Sequence, residues 1–158
     1  MSDSPGEGIK IISQNKRAFH DYVIEKKYEA GIELVGSEVK SCRDSKVQLV
    51  DSYAAIERGE LYLYKALISE FAQGGPYFNH IPTRKRKLLM HKKEIKNLHA
   101  LTEQKGYTLV PLKMYFKKGR AKIEIGLAKG KTKGDKRQSL KDRQDSRNMD
   151  RAIRRNRS

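Results

Sequence analysis

The strongest chemical signal in this chain comes from cations. Arg84, Lys85, Arg86 and Lys87 are consecutive, and Arg143, Arg147, Arg151 and Arg155 recur at every fourth position. Groups that would support catalysis are arranged less well. Residues 126–132 resemble a phosphate-binding loop, but only three residues separate Gly126 from Gly130 where four are required. His20, His80, His91 and His99 lie too far apart in sequence for a finger-type metal pair and read as polar surface residues. Glu33, Glu38, Asp44 and Asp51 could be drawn as a magnesium site, but surface pairs with Lys40, Arg43 and Lys46 are the favoured reading. Cys42 is the single cysteine, which excludes an internal disulfide and a cysteine-cluster zinc site. No catalytic residue, metal or cofactor is expected. Tyr62, Tyr64 and Tyr77 have the chemistry to stack on bases, and core or rim packing suits them equally.

The overall charge points the same way. The 158 residues carry a formal charge of +16, which suggests a polyanion as partner, either nucleic acid or an acidic membrane surface. No apolar run approaches the length of a membrane span, and residues 1–8 hold two acids and no apolar stretch, unlike a signal peptide. A cytoplasmic protein is the expectation.

The elements that must position these cations follow from periodicity. Residues 22–28 alternate as a half-buried strand. Gly36 turns the chain into a short helix with Ser37 as N-cap, Glu38 in its first turn, and Val39 and Cys42 facing a core. Residues 53–68 read as a hairpin about Arg58 and Gly59, with Leu61, Leu63 and Leu67 on one face and Tyr62, Tyr64, Ala66 and Ile68 on the other. Residues 71–82 read as a loop, and 83–105 as one long helix stopped by Gly106. The run from Arg84 to Lys87 then opens that helix, where positive charge opposes the helix dipole and so implies an anion partner. In the next strand Val110, Leu112, Met114 and Phe116 share a face, and in the last one Ala121, Ile123, Ile125 and Leu127 do. Short strands without a strand–helix–strand rhythm predict a mainly β protein with short helices, a small antiparallel OB-like barrel.

Residues 1–130 form the expected barrel domain and 131–158 a basic tail. The tail holds eleven Lys or Arg and four Asp, a net +7, and few apolar residues, so it is expected to be disordered when free. Its arginine stripe disfavours an isolated helix by about 0.2–0.5 kcal/mol per pair, a sign that a phosphate backbone would reverse.

Several segments together resemble the SsrA-binding protein family (small protein B). They are Asn15, Lys16, Arg17 and Ala18; Gly31; Glu38, Val39, Lys40 and Ser41; Arg43; Asp51, Ser52 and Tyr53; Pro82, Thr83, Arg84, Arg86, Lys87, Leu88 and Leu89; Lys105, Gly106, Tyr107 and Thr108; Gly130 and Lys131; and Asp135, Lys136 and Arg137. The likeness runs from about residue 10 to the end. It implies a barrel that binds the tRNA-like part of transfer-messenger RNA and delivers it to stalled ribosomes for trans-translation. Alanyl-tRNA synthetase and elongation factor Tu would take part through the RNA, and the protein itself would perform no chemistry.

The RNA contacts that the resemblance implies on the barrel are Asn15, Glu38, Leu89 and Lys122; the charge of the basic run adds Arg84, Arg86 and Lys87 as candidates. For Glu38, two roles fit a carboxylate near RNA: accepting bonds from bases or a ribose hydroxyl, or holding a neighbouring Lys or Arg. A plain first-turn carboxylate is the simpler alternative. In the tail, Lys131, Lys133, Asp135, Lys136 and Arg137 match the segment that enters the decoding region of the small subunit. Arg143, Arg147, Arg151 and Arg155 would then lie as a helix along the mRNA path. The family often has His or an aromatic residue before Asp135, where this chain has Gly134, so a stacking contact there is not carried over. A monomer without membrane contact is expected. A ribosome-associated structural RNA-binding protein fits the bare charge and fold as an alternative, and an RNA-cleaving enzyme is a third.

Overall fold

Alternating apolar residues give the strand segments of this chain period two, and the computed structural model, which describes residues 8–104 and 106–131, folds those strands into a ring. The elements in order are β1 (Ile9–Gln14), α1 (Lys16–Asp21), β2 (Tyr22–Ile32), α2 (Gly36–Arg43), β3 (Val47–Gln48), β4 (Tyr53–Glu57) and β5 (Glu60–Tyr64). There follow β6 (Leu67–Ile68), α3 (Gly75–Phe78), β7 (Arg86–Leu89), α4 (Lys92–Thr102), β8 (Tyr107–Lys117) and β9 (Arg120–Gly130). The antiparallel order β8-β4-β5-β7-β2-β9 returns to β8, closing six strands into a barrel, and β1 adds to the free side of β8. Closure leaves few unpaired strand edges. β3 and β6 pair separately. This is the expected small antiparallel barrel, with six strands in its ring.

Two hairpins are fixed by their turns. Arg58 and Gly59, and likewise Lys118 and Gly119, have positive φ at both central positions, as the two-residue turns that match strand twist require. The interior is filled by Leu61, Leu63, Leu88, Leu109, Met114, Ile123 and Ile125, all nearly inaccessible to water. Ile95 and Leu98 of α4 and Cys42 of α2 join this core. A second, smaller cluster lies under α1, where Ala18 packs on Val110, Leu112 and Ala128.

Four expectations are corrected. Residues 83–105 are not one helix: 86–89 form β7, paired with β5 and β2, and helix begins only at Lys92. The basic run therefore alternates along a strand, with Arg86 inward and Lys87 outward, rather than opening a helix. The run 60–68 breaks at Lys65, whose φ of 62° interrupts the pleat and turns Ala66 and Ile68 into the core with Leu61 and Leu63. In β8 a bulge between Pro111 and Lys113 inverts the alternation, so Val110 and Leu112 join the small cluster while Met114 enters the barrel and Phe116 packs against that core. Proline, which lacks a ladder donor, is tolerated beside such a bulge. Finally, the strand β1 and the helix α1 precede residue 22, where periodicity marks no element.

Gly126, which the sequence places in a phosphate-loop-like segment, lies within β9 and serves packing instead. A Cβ there would come within 3.0 Å of Ile24 Cγ2 and 3.1 Å of Leu112 Cδ1. Gly126→Ala should thus overpack the small cluster and lower stability by about 1–3 kcal/mol in urea unfolding. An unchanged midpoint would show that the cluster has room to spare.

Candidate nucleic-acid interface

α2 is too short to hold itself and is fastened by the side chain of Glu38. Val35, not Ser37, is the N-cap, and its N–H donates to Glu38 Oε1 at 2.9 Å. The carboxylate also accepts Arg86 Nε at 2.6 Å and Arg84 Nε at 3.0 Å, with a second bond from Arg84 Nη2. Glu38 and Arg86 are both fully enclosed. The remaining donors of Arg86 reach Ala66 O at 2.8 Å and Pro82 O at 2.9 Å. Burial alone would raise the pKa of Glu38, but the bonds from Arg84, Val35 and Arg86 outweigh it and hold the carboxyl below its ordinary range. Burial draws the Arg86 guanidinium down, opposed by Glu38. Burial, reinforced by the Glu38 charge, pushes the Cys42 thiol up to about 12, so it is no nucleophile.

Above this node the barrel presents a row of residues abreast. Leu89 pairs with Gly31, Gly31 with Lys122, Lys122 with Tyr115, and Tyr115 with Ile11. Gly31 lets the two strands approach closely here, since a Cβ would stand a tight 3.3 Å from Leu89 Cβ. Beside the row lies a groove of about 310 Å³ lined by Leu34, Val39, Leu89, Phe116, Arg120 and Lys122. Leu89 is half exposed, and among the described residues neither Arg120 nor Lys122 has an ion-pair partner. The hydroxyl of Tyr115 donates to Glu29; burial and that bond raise the tyrosine pKa, and the same bond, with Lys117, lowers that of Glu29. Apolar floor and unpaired cations suit a base or ribose held beside a phosphate.

Along β7 the outward Lys87 stands opposite Tyr62. Next to them Tyr53 and Tyr64 stack with centroids 5.2 Å apart and planes at 13°. Lys85 Nζ sits 4.3 Å from the Tyr62 centroid and pairs with Glu57, while Lys87 pairs with Glu60. The bond from Tyr64 to Glu57 pushes the tyrosine pKa up to about 12. The sheet face thus joins aromatic rings to cations, a combination that nucleic-acid-binding barrels use.

Asn15 is elsewhere and also buried. Its Nδ2 donates to Pro111 O at 3.0 Å and Leu49 O at 3.4 Å, tying the start of α1 to β8. It lines a pocket of about 210 Å³ with Arg17, Ala18, Asp51, Ser52 and Tyr53, so two motifs separated by over thirty residues meet there.

Of the residues singled out in the sequence, Leu89 and Lys122 come together at the groove, and Lys87 and Arg84 reach the surface nearby. Glu38 and Arg86 have no exposed surface for a direct RNA contact in this conformation, and the observed role of Glu38 is to hold arginines. The four acids expected to pair with Lys40, Arg43 and Lys46 do not; Glu38 pairs with Arg84 and Arg86 instead. His80, expected at the surface, is buried between Ser37 and Ile68. Lys131 donates through Nζ to Phe19 O at 2.8 Å. Lys133, Asp135, Lys136, Arg137, Arg143, Arg147, Arg151 and Arg155 lie outside the described residues. Missed in the sequence were the pairing role of Arg86 and the groove residues Phe116 and Arg120; register, not spacing, brings them in. No cluster of His, Cys, Asp or Glu among the described residues is arranged to hold a metal ion, and no helix there is long and apolar enough to cross a membrane.

A closed barrel with this face is of the class that binds nucleic acid on its sheet. The model of the SmpB protein family matches residues 12–155. An SsrA-binding protein of Geobacillus kaustophilus is 54% identical over 149 residues, covering 94% of this chain and 95% of its own. One from Oceanobacillus iheyensis is 57% identical over 145 residues, covering 91% and 93%. Among solved structures, a chain described by the words "tmRNA-SmpB: a journey to the center of the bacterial ribosome" is 49% identical, with a TM-score of 0.66 over 81% of this chain and 93% of that one. The chain belongs to the SmpB family.

Glu38→Ala would leave Arg86 enclosed without its counter-charge and should cost about 3–5 kcal/mol in denaturant unfolding. Glu38 binds its proton less readily folded than unfolded. Its stabilisation is therefore whole above the unfolded carboxylate pKa, near 4.5, and is lost as pH falls through the lowered folded value. A Glu38→Gln chain should show a flatter loss of stability in that acid window than the parent; identical profiles would remove Glu38 from this role.

Proposed function

We propose that this protein binds the tRNA-like part of transfer-messenger RNA through its barrel and delivers it to stalled ribosomes for trans-translation. Family membership over nearly the whole chain carries the reading, since relatives above 50% identity are named SsrA-binding proteins. The solved relative described with tmRNA and the bacterial ribosome supports the same partners. The groove supplies a physical means: Leu89 and Phe116 offer an apolar floor to a base or ribose, and Lys122 and Arg120 offer charge to phosphate. Lys87 and the exposed edge of Arg84 extend the contact along β7. Glu38 and Arg86 serve this surface from beneath, by fixing α2 against β7, and Asn15 does so by fixing α1 against β8.

In this reading residues 1–130 are the RNA-binding domain, and 131–158 are a basic tail that acts on the small subunit. Lys133, Asp135, Lys136 and Arg137 enter the decoding region, and Arg143, Arg147, Arg151 and Arg155 form a helix against RNA in the empty mRNA path. There phosphate pairing replaces the mutual repulsion of the arginines. The protein performs no chemistry, acts in the cytoplasm as a monomer, and meets alanyl-tRNA synthetase and elongation factor Tu through the RNA.

The test is a chain stopped after Lys131, which keeps the bonds of that residue to Phe19 and Asp21. It should bind the tRNA-like RNA almost as tightly as the full chain, with affinity falling steeply as salt rises. It should fail to support peptide tagging on stalled ribosomes. Normal tagging would refute the role of the tail, and a flat salt response would refute the groove. Recovery of bulk ribosomal RNA fragments instead of one small stable RNA would favour a structural ribosomal protein.

A further inference from the structure

The segment between β6 and β7 exposes apolar side chains that the fold does not use, although it is firmly held. Asn79 Nδ2 donates to Phe71 O and Gly75 O, both at 2.9 Å, and Phe71 N–H donates to Asn79 Oδ1 at 2.7 Å. His80 Nε2 lies 2.8 Å from Ile68 O, which can only accept, so Nε2 carries the proton and Nδ1 accepts from Ser37 Oγ at 2.8 Å. On this fastened loop Tyr77 is fully exposed, Ile81 is 70% exposed and Phe78 52%. Single exposed apolar residues are ordinary, but three within one short, pinned segment offer a partner apolar surface whose backbone is already set.

We propose that this loop is a second RNA contact, in which Tyr77 stacks on one unstacked base of the same folded RNA that the groove binds. The inference rests on the RNA reading above and adds a site to it. The cations around the loop favour an anionic partner, and the RNA of the proposed function is one. Lys40 Nζ lies 5.2 Å from the Phe71 centroid and 4.9 Å from that of Phe78. Lys40, Arg43 and Lys46 are all exposed, and none has an ion-pair partner among the described residues. The nearby acid on the loop is Glu70 alone. A nucleotide satisfies both halves of this surface, with its base on the ring and its phosphate beside the cations. The same short helix serves both places: Val39 of α2 lines the groove, and Lys40 of α2 reaches the loop.

The test uses the full chain and a transcript of the tRNA-like part of transfer-messenger RNA, with binding measured across a range of salt. Tyr77→Ala should bind about tenfold more weakly at every salt, with an unchanged slope of log affinity against log salt, because stacking releases no counterions. Tyr77→Trp should retain the parental affinity. Lys122→Ala should instead reduce the slope by about one. Since Tyr77 is fully exposed, the thermal midpoint should not move in either Tyr77 variant. If Tyr77→Ala equals a parent that binds steeply, this proposal fails and the proposed function stands. If Tyr77→Ala keeps its RNA affinity but loses ribosome engagement, the partner of the loop is not this RNA, and the proposal is overturned. If the parent itself binds without salt dependence or preference for folded RNA, the proposed function fails and this contact falls with it.

Discussion

The enclosed ion pair between Glu38 and Arg86 is the constraint on which the outer surface depends. Two opposite charges with no access to water are tolerable only when each finds enough hydrogen bonds. Here Glu38 takes Val35 N–H and two arginines, and Arg86 also reaches Ala66 and Pro82. The same bonds join α2, the corner between β5 and β6, and the entry to β7. No buried side-chain polar atom among the described residues is left without a partner. A hydrophobic substitute could fill this volume, but it would not fix where α2 stands relative to β7. Val39 and Leu89 line one groove because that relation is fixed.

Irregularities then decide which residues reach the surface. The positive φ at Lys65 and the bulge at Leu112 each shift the alternation by one residue. Without the second, Met114 would face outward and Tyr115 inward, and the row from Leu89 through Lys122 would end against the wrong side chain. Single backbone defects of this kind re-aim a whole strand segment, since the side-chain period is two.

Functional motifs read along the sequence turn out to divide between buried and surface positions. Asn15 and Glu38 look like contact residues by resemblance, yet their side chains are buried and bonded to the fold. Leu89 is half exposed and Lys122 partly so, and the two flank Gly31 on neighbouring strands. A family motif therefore marks positions that a function requires without distinguishing a residue that touches the partner from one that holds the surface in shape. The basic run illustrates both within four residues, because strand alternation sends Arg86 inward and Lys87 outward.

The sequence alone determined the mainly β class, the tight turn at Arg58 and Gly59, the inner face of the last strand, the basic character and the family. Each is local: turn residues at fixed positions, a period of two between breaks, a count of charges, or an ordered string of motifs. Tertiary structure alone decided that residues 86–89 are strand, because a cationic run followed by two leucines satisfies either period and only pairing with β5 and β2 selects one. It likewise decided the parity at Lys65 and Leu112, the burial of His80, and the partner of Glu38. Arg86 lies 48 residues from Glu38 in the chain. No spacing rule reaches that far, and a barrel brings such residues together only by closing.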